Sequence, residues 1–201
     1  MNPRGLVLVL SAPSGAGKHA VIARVREFGE PLVETVSATT RAPRRGETDG
    51  VAYHFVDEAT FRRLVAEGAF VEWAEVHGHL YGTLKSELDH RIESGRDVVL
   101  ELDVQGMRAL KRARDDVVSV FLMPPSIAEL ERRLRKRGLN DEADIAVRLR
   151  NAEKEIAARH ESDYIIVNDD LDQAAREFIE VLRLERAART RNAVNVNKER
   201  K

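Results

Sequence analysis

Residues Ala12-Pro13-Ser14-Gly15-Ala16-Gly17-Lys18 stand between an apolar run, Leu6 to Leu10, and a segment with Val21, Ile22 and Val25 at helical spacing. A glycine-rich loop in that setting can wrap phosphate. Gly15 and Gly17 let the backbone turn so that successive N–H groups face one anion, and a lysine at the helix start reaches the β- and γ-phosphates. The chemistry indicated is that of a nucleotide-binding kinase or NTPase, with Ala12, Pro13, Ser14, Gly15, Ala16, Gly17, Lys18, His19 and Ala20 as the candidate nucleotide-binding segment. Two positions depart from the pattern. Ala12 replaces the usual first glycine, and His19 stands where a Ser or Thr would offer a hydroxyl to Mg²⁺.

Phosphoryl transfer between two anions needs neutralising donors from several directions, because like-charged oxygens must come within in-line reach. The segment Thr39-Thr40-Arg41-Ala42-Pro43-Arg44-Arg45-Gly46-Glu47 sets Arg41 and Arg44 three apart in a Pro/Gly-constrained loop. Two guanidiniums so placed suit bidentate capture of a phosphate monoester. A solvated basic loop is the competing reading of the same residues.

The elements that must position these groups read as α/β. Leu6 to Ser11, Asp97 to Asp103, Val117 to Leu122 and Tyr164 to Val167 are short β-rich runs separated by helical stretches. That pattern predicts a P-loop NTPase-type parallel sheet flanked by helices, with ligands at the strand carboxyl ends. A capping box of Ser126 and Glu129 is expected after Pro124-Pro125, and Leu171 to Ala187 reads as a long amphipathic helix. Two regions break the alternation. Residues 37–83 hold the basic loop, strand candidates at Ala52 to Phe55 and Phe70 to Val76, and a helix between them, so an inserted α+β subdomain for the second substrate is expected. Residues 137–160 are helical and charged with few apolar anchors, the composition of a mobile lid. The core is then 1–36, 84–136 and 161–190, and the basic tail at 191–201 is expected to fray.

The chain has 201 residues, enough for one well-buried domain. A net charge of −1 gives no global attraction to nucleic acid or to an anionic membrane. With no cysteine, disulfides, thiolate zinc sites and cysteine nucleophiles are excluded, which fits a cytoplasmic protein. No segment approaches the roughly 20 apolar residues of a membrane span. The other histidines, His54, His77, His79, His90 and His160, lack zinc-ligand spacing and read as surface or loop residues.

The pieces taken together resemble bacterial guanylate kinase. They are SAPSGAGK (Ser11 to Lys18), VSATTRAPRRGE (Val36 to Glu47), FVEWAEVHGHLYGT (Phe70 to Thr83), LDVQG (Leu102 to Gly106), PPS (Pro124 to Ser126), RLRKRG (Arg133 to Gly138) and IVNDD (Ile166 to Asp170). The resemblance runs from Leu8 to about Ala187 and implies transfer of the γ-phosphoryl group of ATP to GMP, and to dGMP, with Mg²⁺ accompanying ATP. It implies a GMP phosphate clamp of Arg41, Arg44, Tyr53 and Tyr81, with Glu47 in the same motif. Taken singly, the two tyrosines read equally as core or rim aromatics. Ser37, Glu72 and Thr83 resemble the guanine readers. The chemistry of Glu72 fits that role, because a carboxylate accepts from both N1–H and the exocyclic amine of guanine, whereas adenine has no donor at N1.

By the same resemblance Asp103 helps to place GMP and the metal shell, and Glu101 holds metal-bound water. Many relatives carry Asp at the Glu101 position, and a solvated or capping carboxylate is the alternative there. Arg137 and Arg148 match the lid arginines that close on the transferring group and, with Lys18 and Arg41, form the expected catalytic set. Asn168 resembles the adenine-side contact, although an Asn after a strand is also a common turn residue. Expected partners are ATP and GMP, without nucleic acid or membrane, in a monomer or homodimer. A neutral imidazole is a poor substitute for a hydroxyl toward Mg²⁺, so Mg²⁺ is expected on ATP oxygens, waters and Glu101/Asp103, with His19 beside the loop or donating to phosphate. Two other readings compete. One is a catalytically weak guanylate-kinase-like binding module that uses the GMP clamp on phosphorylated peptides. The other is a ribose-bisphosphate kinase of the same fold, which Glu72 and Thr83 argue against.

Overall fold

The run VLVLS forms β1 (Val7–Ser11), and all five residues are buried, as expected of a central parallel strand covered on both faces. The computed structural model describes residues 4–76, 78–137 and 142–199, with backbone alone at 76, 137, 143 and 192–199. After β1 come α1 (Lys18–Glu27), β2 (Val33–Glu34), β3 (Ala38–Thr39), β4 (His54–Phe55), α2 (Glu58–Ala66), β5 (Phe70–Val76), β6 (His79–Leu84) and α3 (Lys85–Glu93). Then follow β7 (Val98–Leu102), α4 (Val104–Ala113), β8 (Val117–Met123), α5 (Ile127–Arg137), α6 (Glu142–Ala157), a 3₁₀ turn, β9 (Tyr164–Val167) and α7 (Leu171–Glu199). Backbone hydrogen bonds order one sheet β2-β7-β1-β8-β9 and a second β4-β3-β6-β5. In the first, β2 runs parallel to β7 and β8 parallel to β9, the expected α/β arrangement with flanking helices.

The chain divides into two compact units. One contains the residues up to Val7, Val33–Leu100 and Gln105–Val117. Its second sheet packs on α2 through Ala38, Phe61, Phe70 and Leu80, with Phe61 stacked on Phe70 at 4.5 Å. The Asp57 carboxylate caps α2 by accepting from the Thr60 N–H at 2.6 Å.

The other unit contains Leu8–Leu32, Glu101–Val104 and Val118–Lys201. Here α5 and α6 share a core of Leu130, Leu134 and Ala152, with Leu149 against it. Helices α1 and α7 pack together, and Arg24 donates to the Asp172 carboxylate at 2.8 Å. The Ser126 hydroxyl accepts from the Glu129 N–H at 3.0 Å, so half of the expected capping box forms. The other half does not, because the Glu129 carboxylate turns to Arg132 and Arg133.

Several expectations shift. The strand expected at Ala52 to Phe55 is reduced to two residues, since Ala52 donates to the Thr48 carbonyl within a turn. The region 137–160 is better anchored than its composition suggests: Ile145 and Ala152 are buried, while residues 138–141 lie outside the described set. The tail expected to fray from 191 continues α7 to Glu199, with no Gly or Pro to end the helix. Among the described residues, no helix is long and apolar enough to cross a membrane.

Candidate functional site

The phosphate loop takes the turn that its glycines were expected to allow. Gly15 and Gly17 have φ of 96° and 100°. Gly17 is the N-cap of α1 and offers no side chain, so the first helical N–H groups meet no side-chain cap. A Cβ at Gly17 would lie 2.6 Å from Asn168 Nδ2, and one at Gly15 would lie 2.9 Å from Leu134 Cδ2. Ala12, Pro13 and Ala16 are buried, Ser14, His19 and Ala20 are exposed, and Gly15, Gly17 and Lys18 lie between.

Three side chains brace this loop. Asn168, 5% exposed at the end of β9, donates through Nδ2 to the Ala16 carbonyl at 2.8 Å. Arg133 donates to the Asn168 carbonyl at 2.9 Å and is held by Glu129 at 2.8 Å. Arg148 of α6 donates to Ser14 Oγ at 2.8 Å, which brings one of the expected lid arginines onto the loop. Arg137 is the last residue of α5, and its side chain lies outside the described set. Beside the loop is a cleft of about 490 Å³ lined by Gly15, Gly17, Arg132, Arg133, Lys136 and Asn168 among others. Its basic wall suits an anionic ligand.

Lys18 donates from Nζ to the Ala12 carbonyl at 3.2 Å. Burial lowers its pKa, opposed by the charges of Glu101, Glu155 and Asp103. Burial also raises the pKa of Glu155, with Lys18 opposing the shift and Asp103 adding to it. The Lys18 ammonium therefore feels the charge of three carboxylates, and incoming phosphates would supply it with stronger partners. His19 Nδ1 lies 3.4 Å from Glu101 Oε1, and the imidazole is 80% exposed. Glu101 and Asp103 offer carboxylate oxygens suited to metal-bound water, so the donor set fits Mg²⁺ through oxygen and departs from it at His19.

In the other unit, Arg41 is held before any ligand arrives. Its guanidinium donates to both Glu47 oxygens at 3.0 and 2.8 Å and to the Ala42 carbonyl at 2.7 Å. It also lies 5.4 Å from the centre of the Tyr53 ring and 5.8 Å from that of Phe55. The rings of Tyr53 and Tyr81 meet edge-on at 5.9 Å. Hydrogen bonds to Glu47, and after it to Tyr81, raise the Arg41 pKa against its burial. Glu47 also accepts from the Arg44 N–H at 2.7 Å, which fixes the loop, while the Arg44 side chain is exposed.

Glu72 of β5 pairs in register with Thr83 of β6, and the Thr83 hydroxyl donates to Glu72 Oε1 at 2.8 Å. A bulge between Phe70 and Glu72 sets this pairing; an unbroken register from Phe70 would have put Val71 opposite Thr83. Ala38 of β3 pairs with Gly82, so the register brings Ser37 to the level of Thr83. Arg41, Tyr53 and Tyr81 are thus brought together, as are Glu72 and Thr83.

The guanylate kinase family model matches residues 4–185 of this chain. The chain belongs to the guanylate kinase family. It is 45% identical to the guanylate kinase of Sphingopyxis alaskensis, over 95% of this chain and 87% of that one. It is equally 45% identical to the guanylate kinase of Thermotoga maritima, over 94% of this chain and 91% of that one. The crystal structure of guanylate kinase from Anaplasma phagocytophilum superimposes with a TM-score of 0.69 at 37% identity, covering 92% of this chain and 87% of that one.

Set against the family motifs, the structure gives several residues roles that the sequence alone did not assign. Arg133 and Glu129 act on the loop at long range in sequence, yet they read as an ordinary i,i+4 pair on a charged helix. Glu155 reaches the charge cluster from α6, and no local motif marks it. Glu47 fell inside a family motif, and its part emerges as the brace of Arg41. Asn168 emerges as a brace of the loop.

Proposed function

We infer that this chain is an ATP:GMP phosphotransferase, giving ADP and GDP and accepting dGMP as well. The observation that carries the choice of acceptor is the Glu72–Thr83 pair at 2.8 Å, which presents a carboxylate already oriented by a hydroxyl. Such a group accepts from guanine N1–H and its exocyclic amine, and a base lacking those donors leaves it unpaired.

In this reading ATP lies on the phosphate loop, its phosphates facing the N–H groups at the start of α1 and the Lys18 ammonium. Arg41, with Tyr53, Tyr81 and Arg44, receives the GMP phosphate. Glu47 lowers the ordering cost, because the guanidinium is fixed in advance. An oxygen of the GMP phosphate attacks the γ-phosphorus and the bond to the β-bridging oxygen breaks, leaving ADP. The attacking oxygen is already anionic, so no general base is required. Lys18 and Arg148, with Arg137, stabilise the charge that spreads over the transferring group. Ser37 adds to the base contacts, and Asn168 acts by holding the loop and lies on the adenine side. Glu101 and Asp103 would hold Mg²⁺ arriving with ATP through its water shell, and the ion would supply charge neutralisation there.

Following phosphorus resonances after mixing protein, Mg²⁺, ATP and GMP tests this. Equal growth of ADP and GDP is expected. ADP without GDP would reveal a hydrolase, and bound GMP with no turnover would make the chain a binding module.

A further inference from the structure

His19 and Glu101 are spaced as two ligands of one metal ion. Their Nδ1 and Oε1 atoms are 3.4 Å apart, beyond the ordinary N–H···O range of about 2.7–3.2 Å. Donors bonded at about 2.1 Å to one ion lie about 3.0 Å apart at an octahedral right angle and about 3.4 Å apart at a tetrahedral angle. The imidazole comes from the first turn of α1 and the carboxylate from the end of β7. Lys18, adjacent in the chain, feels the Glu101 charge, so a phosphate held by the loop and Lys18 would lie beside the pair.

We propose that His19 and Glu101 directly ligate a first-row transition-metal dication on the nucleotide phosphates, giving this chain a preference for such ions over Mg²⁺. Imidazole nitrogen suits borderline metals and is a poor donor to Mg²⁺, whereas the hydroxyl usual after the loop lysine favours hard ions. His19 is therefore a specificity-determining residue for the metal. Nucleotide oxygens and water complete the shell, so the inference rests on ATP occupying the loop.

Pulsed electron paramagnetic resonance of Mn²⁺ with ADP and the whole protein tests it without turnover. A histidine nitrogen coupling to Mn²⁺ is expected, changing isotope when the protein is labelled with ¹⁵N-histidine. It should vanish in His19→Ser, a change at an exposed side chain, and the preference for Mn²⁺ over Mg²⁺ should fall about tenfold. Mn²⁺ bound with ADP but coupled to no histidine nitrogen would overturn the proposal, as would a coupling that survives in His19→Ser. GMP-dependent ADP formation in Mg²⁺, measured on the same sample, keeps the two readings apart. Turnover without nitrogen coupling sinks only the metal assignment, and coupling without turnover sinks only the kinase reading.

Discussion

Replacing Gly17 with Ala tests how the phosphate loop is held. The backbone there has φ of 100°, and the added Cβ would lie 2.6 Å from Asn168 Nδ2. An L-residue forced to positive φ costs about 1–2 kcal/mol. Relieving the contact means moving Asn168 off the Ala16 carbonyl, where its amide now sits at 2.8 Å in a buried site. An unsatisfied buried amide adds about 1–3 kcal/mol. The sum is roughly 2–5 kcal/mol, or a fall in Tm of roughly 4–20 °C for a chain of this size. Thermal or urea unfolding of Gly17→Ala, Asn168→Ala and the double variant separates the two contributions. Removing the Asn168 side chain also removes the clash, so the double variant should lose less than the sum of the singles, by about 0.5–3 kcal/mol. Strict additivity would refute the contact, and a Gly17→Ala protein as stable as the parent would refute the whole account of the loop.

Exchange of Glu72 for Gln removes the charged acceptor, so kcat/KM for GMP should fall about tenfold to a hundredfold while KM for ATP holds, measured by coupled ADP release. Lys18→Ala should lower kcat by about 10²-fold or more with GMP affinity little changed, as read by turnover and calorimetry; equal loss of both would indicate misfolding. Glu129, held by Arg132 first and then Arg133, has its pKa lowered from 4.5 to about 2 in the folded chain. Its stabilising contribution is therefore present above pH 4.5 and is lost as pH falls toward about 2. Urea midpoints of the parent and Glu129→Gln should differ at pH 6 and converge through that window; a constant difference would show that the carboxylate charge is not what braces Arg133.

What the sequence made legible followed the physical scale of each signal. The loop from Ala12 to Lys18 and strands such as β1 and β8 were readable because local composition and chain order set them. The two-residue strands β2 and β3 are too short to show periodicity. β6 was hidden in a different way: its Gly82 lets Phe70, Trp73 and the Glu72 carbonyl approach closely, and tertiary packing alone makes that useful. The pairing of Glu72 with Thr83 depends on a bulge that one strand cannot announce. The Arg133–Asn168–Ala16 chain of hydrogen bonds joins three elements distant in sequence, so no motif length spans it. His19 was visible as a departure from pattern, but its distance from Glu101 required the fold.

The most direct test of the central claim is ADP formation from ATP and Mg²⁺ with GMP, dGMP, AMP and ribose bisphosphate offered in turn. Turnover confined to the guanine nucleotides is the predicted result; no acceptor-dependent ADP with GMP still bound, or a preference for ribose bisphosphate, would contradict it.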